Sequence, residues 1–194
     1  IRYLGDDKYL TAVNATNFTV SKVPSTVSAK ADNITVGEKA VIEIAVPRDA
    51  TGIVTVRVDG KDYDVYVAGG KGILVVPGLK VGNYTVDVKY PGDRKYESNT
   101  NATKFSVNKA TSEITVVDQG NGTVVVVVGD NATGDITIRV GDKNYTAPIV
   151  NGTAVVTVDN STPGTHDVEV IYSGDENTEG TSTTSKVTVP KYDS

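Results

Sequence analysis

Apolar and polar residues alternate in short runs along the whole chain. Ile42, Ile44 and Val46 alternate with Glu43 and Ala45, and Val86, Val88 and Tyr90 alternate with Asp87 and Lys89. A period of two puts one set of side chains on a buried face and the other in water, which is the pattern of a half-buried strand. No stretch sustains a helical period. Bounded by turn residues, the pattern predicts strands at 25–31, 40–46, 53–58, 62–67, 72–76, 84–90 and 103–107. A second set falls at 113–117, 123–128, 136–140, 144–149, 154–158, 167–172 and 185–189. The run Val124 to Val128 breaks the alternation. It reads as a strand covered on both sides or a tolerated valine surface, with a face toward a ligand or neighbouring module as the alternative. Pro148 places the strand near Tyr145 at a sheet edge, because proline cannot donate to a ladder. Pro47, Pro91 and Pro163 fall in predicted turns.

The two sets of strands are copies. Val88-Lys-Tyr-Pro-Gly-Asp-Arg-Lys-Tyr96 with Phe105-Ser-Val-Asn-Lys109 has a forerunner in Ile1-Arg-Tyr-Leu-Gly-Asp-Asp-Lys-Tyr9 with Phe18-Thr-Val-Ser-Lys22. It has a weaker successor in Val170-Ile-Tyr-Ser-Gly-Asp-Glu-Asn-Thr178 with Val187-Thr-Val-Pro-Lys191. Lys22, Lys109 and Lys191 are 87 and 82 positions apart, a period suited to a small β-sandwich rather than a helical solenoid. The division is therefore 1–22, the C-terminal hairpin of a preceding repeat, then whole modules at 23–108 and 109–194. The five-residue difference in period falls around Asp32 to Lys39, in the connection between the first two strands of the first module. About seven strands per module give an all-β chain of two tandem immunoglobulin-like sandwiches. In the opening segment Ile1, Tyr3, Phe18 and Val20 would form the apolar face of a two-strand hairpin, which is marginal alone in water. Either it was excised from a longer array, or another copy supplies the missing strands by strand addition.

Composition agrees. Of 194 residues, 34 are Val and only four are Leu, and there is no Met, Trp or Cys. Valine favours the pleated surface because its side chain, branched at Cβ, keeps few rotamers in a helix. Absence of cysteine excludes thiol chemistry and Cys-ligated zinc and leaves the redox compartment open. No apolar run approaches 18 residues, so no helical membrane span is expected in this sequence. Residues 23–108 carry 11 basic and 10 acidic groups, and 109–194 carry 5 and 12. So acidic a surface argues against nucleic acid as a partner.

The inventory of reactive side chains is short. His166 is the only histidine. It lies in Gly164-Thr-His166, the slot that Gly82-Asn-Tyr84 fills in the first module as the tyrosine corner of the sixth strand, so Tyr84 and His166 are assigned structural corners. Acid clusters at Asp6 with Asp7, Asp130 with Asn131 and Asp175 with Glu176 lack the one-three-five spacing of a calcium loop and read as solvated turn acids. Lys30 or Lys39 with Asn101 and Glu43 is the one set from which a Lys–Asn crosslink could be assembled, but Thr183 and Asn121 stand at the Asn101 and Lys39 slots of the second module. Gly69-Gly-Lys-Gly72 joins strands and reads as a hairpin turn, not a phosphate loop. No catalytic triad, paired catalytic carboxylate, metal site or cofactor is expected, and the chain is read as no enzyme. What does stand out is asparagine. Ten of 13 begin Asn-x-Ser/Thr acceptors: Asn14, Asn17, Asn33, Asn83, Asn101, Asn121, Asn131, Asn144, Asn151 and Asn160. Chance gives roughly two or three, so these are glycosylation candidates and favour export. Turn-loving Asn beside strand-loving Thr accounts for part of the excess.

At Tyr90-Pro-Gly-Asp-Arg-Lys-Tyr96, Phe105-Ser-Val-Asn-Lys109 and Gly82-Asn-Tyr-Thr-Val86 the chain resembles the tandem immunoglobulin-like repeats of methanogen adhesin-like surface proteins. The second module departs from the pattern at Thr178, His166 and Val187. The resemblance implies an exported, cell-surface, non-catalytic stalk whose partners are neighbouring repeats of the same chain. Surface glycans or proteins bound through loops are the alternative, with Tyr9, Tyr63, Tyr66, Tyr96 and Tyr145 as the aromatic candidates. Self-assembly through 1–22 into a strand-donated filament is the third.

Overall fold

The computed structural model describes residues 1–159 and 162–191. Seventeen strands follow in chain order: β1 (Arg2–Tyr3), β2 (Ala12–Val13), β3 (Ser28–Ala31), β4 (Ile34–Thr35), β5 (Ala40–Ala45), β6 (Ile53–Val58), β7 (Lys61–Tyr66), β8 (Lys71–Val76), β9 (Gly82–Tyr90) and β10 (Asn99–Asn108). The second set is β11 (Thr115–Asp118), β12 (Thr123–Val127), β13 (Asp135–Val140), β14 (Lys143–Pro148), β15 (Thr153–Thr157), β16 (Gly164–Tyr172) and β17 (Thr181–Val189). They build two tandem immunoglobulin-like sandwiches. In the first, a three-stranded sheet β3-β5-β8 faces a five-stranded sheet β4-β10-β9-β6-β7; in the second, β11-β12-β15 faces β14-β13-β16-β17. Strands β1 and β2 form a separate hairpin of two residue pairs, and Phe18 and Val20, expected on its apolar face, lie beyond β2.

Each sandwich closes on its own core because the alternating positions of both sheets point inward. Ile42, Ile44, Val54, Val56, Val86, Val88 and Tyr90 fill the first, and Val124, Val126, Ile136, Ile138, Val168, Val170 and Tyr172 the second. Burying each such side chain stabilises by roughly 1.5–3 kcal/mol. The valine run resolves into faces after all: Val124, Val126 and Val128 are buried, while Val127 looks outward from the central strand β12. It is a valine surface. Pro148 ends β14, an edge strand.

Four expectations shift. The strand expected from Ser25 starts at Ser28, because Val23 first makes a parallel bridge to Tyr96 and the Ser25 carbonyl accepts Asn99 Nδ2 (2.5 Å). Its counterpart starts at Thr115, after Ala110 bridges Thr178. The last strands begin earlier than expected, at Asn99 and Thr181, since their polar first halves hide a ladder that runs unbroken along β9 and β16. Finally, the five-residue insertion is more than a connection. It contains β4, which leaves the small sheet and pairs parallel with β10 through Ile34–Val107 and Thr35–Asn108.

Candidate functional site

Two loops at one end of each sandwich are fastened by a single carboxylate. Asp93, in the turn between β9 and β10, accepts the Lys95 and Tyr96 N–H groups on Oδ1 (both 2.8 Å), and Thr51 N–H (2.9 Å) and Oγ1 (3.3 Å) on Oδ2. Thr51 lies in the crossover from β5 to β6, so the clamp ties the turn of one sheet to the passage between sheets. Beneath it the buried Tyr90 donates to the Thr51 carbonyl (3.3 Å). The second sandwich repeats the device: Asp175 Oδ1 takes Asn177 and Thr178 N–H, and Oδ2 takes Thr133 N–H (2.8 Å) and Oγ1 (2.7 Å). Glycine is required in that turn. Gly92 has φ +83°, and a Cβ there would stand 2.7 Å from the Tyr96 carbonyl oxygen.

These contacts set the electrostatics. Backbone N–H donors, Tyr96 first and Thr51 next, hold the Asp93 carboxyl far below the usual carboxylate range. Burial opposes this at Asp175, yet the Thr133 hydroxyl and the Asn177, Thr133 and Thr178 amides outweigh it and also leave that carboxyl low. Burial, aided by Asp93, pushes the Tyr90 hydroxyl up to about 12; burial and Asp175 raise Tyr172. Asp6 and Asp175, from the acid clusters of the sequence, thus accept hydrogen bonds on both oxygens and sit in turns. Among the described residues no group of three or more His, Asp or Glu is placed to hold a metal ion.

At the opposite end, Tyr84 donates to the Lys80 carbonyl four residues back (2.8 Å) and stacks on Phe105 with ring centroids 5.5 Å apart. In the second sandwich His166 Nε2 stands 2.6 Å from the Thr162 carbonyl, the same four-residue reach. The outer edge of each last strand is covered at matching amides. Ser106 N–H is capped by Asn33 Oδ1 (2.8 Å), and Thr188 N–H by Asp118 Oδ2 (2.9 Å). Blocking an edge N–H removes a template for unwanted pairing.

The passage between sandwiches is short. Asn108 still pairs with Thr35 and its carbonyl accepts Val36 N–H (2.8 Å), while Ala110 already donates to Asn177 and accepts from Glu179 (both 2.8 Å). Lys109 alone intervenes, and its Nζ donates to the Asp175 carbonyl of the second clamp turn.

The acceptor asparagines are not equivalent. Asn14, Asn17, Asn33, Asn83, Asn121, Asn131, Asn144 and Asn151 are exposed. Asn33 and Asn83 flank Ser106, whose Oγ donates to Asn83 Oδ1 (2.7 Å). Asn101 is half-buried and opposes Val88 on the inward register, and Asn160 lies outside the described residues. The crosslink set is not assembled. Lys30 and Glu43 oppose each other on the small sheet, with Lys30 Nζ 3.2 Å from Asp32, whereas Asn101 belongs to the large one. Of the tyrosines, Tyr9 and Tyr66 are exposed, Tyr63 and Tyr145 half-buried, and Tyr96 buried with its hydroxyl on Asp49 (2.6 Å). Gly69-Gly70 forms a tight hairpin turn closed by the Ala68–Lys71 bridge.

Sequence reasoning missed the threonine half of the clamp. Its signal was present: Ala50-Thr-Gly52 and Ala132-Thr-Gly134 recur at the same 82-residue spacing as Asp93 and Asp175.

No protein-family model and no curated protein matches the chain. Among solved structures it is similar to the fibronectin(III)-like modules of Clostridium thermocellum CbhA (12% identity, 85% of this chain and 94% of that one, TM-score 0.37). It is similar too to a tandem of titin Ig domains (14%, 85% and 96%, TM-score 0.34) and to the BSP domain of a biofilm-associated protein (19%, 84% and 29%, TM-score 0.31). Likeness at that level leaves the fold assignment resting on the strand pairing itself.

Proposed function

We propose that the chain is a set of non-catalytic spacer modules, 23–108 and 109–194, from the stalk of an exported, cell-surface, adhesin-like protein. The observation that carries this reading is the one-residue passage. With Asn108 paired on one side, Ala110 on the other and Lys109 fastened to the Asp175 carbonyl, neighbouring sandwiches have little slack and bend little. A spacer needs that property and needs no reactive site. The eight exposed acceptor asparagines carry glycan in this reading, and Asn101, turned inward, does not. Peptide mapping of the protein from a glycosylating host tests this: sugar at several of the eight supports the reading, and an unmodified exterior or a modified Asn101 contradicts it. Assembly of a filament by strand donation between copies is disfavoured, because both sandwiches already contain their own last hairpin, β9–β10 and β16–β17.

A further inference from the structure

The first 22 residues display core side chains that have no core. By the repeat, Ile1, Tyr3, Phe18 and Val20 stand where the first sandwich has Val88, Tyr90, Phe105 and Val107. Those four are 1%, 0%, 3% and 2% exposed in the sandwich, against 99%, 43%, 87% and 82% for their counterparts in the opening segment. The turn end of the hairpin is nonetheless formed, although Phe18 and Val20 lie beyond its two residue pairs. Arg2–Val13 and Tyr3–Ala12 reproduce the Lys89–Thr100 and Tyr90–Asn99 register, Gly5 has φ +82° as Gly92 has +83°, and Asp6 Oδ1 takes Lys8 and Tyr9 N–H (both 2.9 Å) as Asp93 takes Lys95 and Tyr96.

One partner differs, and it identifies what is missing. In the whole sandwiches the second carboxylate oxygen accepts a threonine N–H and hydroxyl, and in the first the tyrosine hydroxyl donates to that threonine's carbonyl. In the opening hairpin Asp6 Oδ2 accepts the Tyr3 hydroxyl (2.6 Å) and no threonine, although tyrosine and aspartate also meet in the whole sandwiches. We infer that 1–22 is a docking surface for a six-stranded partial sandwich of the kind formed by 23–81, whose crossover presents an Ala-Thr-Gly turn. Its threonine N–H and hydroxyl meet Asp6, its carbonyl takes the Tyr3 hydroxyl, and its core covers Ile1, Tyr3, Phe18 and Val20. Such a partner answers both the exposed apolar face and the carboxylate that lacks its threonine, whereas a flat apolar partner would answer only the first.

This inference goes beyond the spacer reading and concerns only the first 22 residues, so either can fail alone. Joining residues 23–87 ahead of Ile1 in the full chain supplies the partner, with Asp87 leading into Ile1 as it does into Val88. Hydrogen exchange of the amides at 18–20 should then slow by roughly a hundredfold or more, toward the protection of 105–107, and Thr51→Ala in the added copy should reverse part of that gain. In the chain as it stands, Phe18→Ser with Val20→Ser should leave the Tm of both sandwiches unchanged, where Phe105→Ser lowers it. The inference is overturned if amides 18–20 stay fast in the extended chain while the other sandwiches fold. It is equally overturned if the serine pair lowers Tm, or if the unextended chain sediments as a dimer with 18–20 protected, which would make a second copy the occupant.

Discussion

The two sandwiches solve the same problems with different side chains. At the clamp end the first surrounds Asp93 with Asp49, Lys95 and Tyr96: Lys95 Nζ meets Asp49 Oδ2 at 2.5 Å and lies 4.9 Å over the Tyr96 ring. The second has Asn131, Asn177 and Thr178 at those positions. At the corner end, Tyr84 on Phe105 becomes His166 opposite Val187. Through all these exchanges the buried tyrosine, the aspartate and the threonine persist. The aspartate–threonine clamp joins residues 42 positions apart, in loops just beyond the β6–β9 and β13–β16 ladders, whereas the corner contact spans only four residues and any side chain reaching the carbonyl suffices.

That contrast can be broken experimentally. The largest effect is expected at the slot that holds Phe105 in one core and Val187 in the other: Phe105→Ala should destabilise the first sandwich by about 3–5 kcal/mol, and Val187→Ala the second by roughly 2 kcal/mol. In calorimetry each should move one transition and leave the other. Next comes the clamp turn. Gly92→Ala forces a left-handed residue against the Tyr96 carbonyl and should cost on the order of 1–3 kcal/mol, with Gly174→Ala the matching loss in the second sandwich, read by denaturant midpoints.

Titration sharpens the comparison further. The Tyr90 hydroxyl, pushed up to about 12, keeps its proton in the fold where the unfolded chain has lost its own near pH 10. Its contribution is therefore full below pH 10 and disappears as pH rises to about 12. The Asp93 and Asp175 carboxyls have the opposite sign: their contribution is present above about pH 4 and is lost only as pH falls toward their depressed folded values. Thermal melts followed by circular dichroism should show stability holding well into acid and falling between pH 10 and 12, and Tyr90→Phe should flatten the alkaline fall. The smallest effect is Tyr84→Phe, which removes the corner hydrogen bond and keeps the ring stack, at about 1 kcal/mol.

Much of this architecture was legible before any coordinates. Alternation located every strand of the two sandwiches except β4, because two residues, Ile34 and Thr35, are too few to show a period. Strand ends were misjudged where Asn99 to Ala102 and Thr181 to Thr184 pair without burying apolar groups. Tyr84 and His166 could be placed in one slot by the repeat alone. Faces of the large and small sheets could not: Lys30, Glu43 and Asn101 are compatible in type, and only the register separates them. The clamp was half readable, since Gly-Asp recurs beside the tyrosine but its threonine lies 42 residues upstream.

The account depends on the sandwiches being held at a fixed mutual orientation through Lys109. The chain has no cysteine, so spin labels can be placed cleanly at Asp64→Cys and Thr146→Cys, exposed matching positions on β7 and β14. A single narrow distance distribution from pulsed electron paramagnetic resonance, broadening in Lys109→Gly, is the predicted result. A broad distribution in the parent chain, unchanged by that substitution, would contradict a rigid spacer.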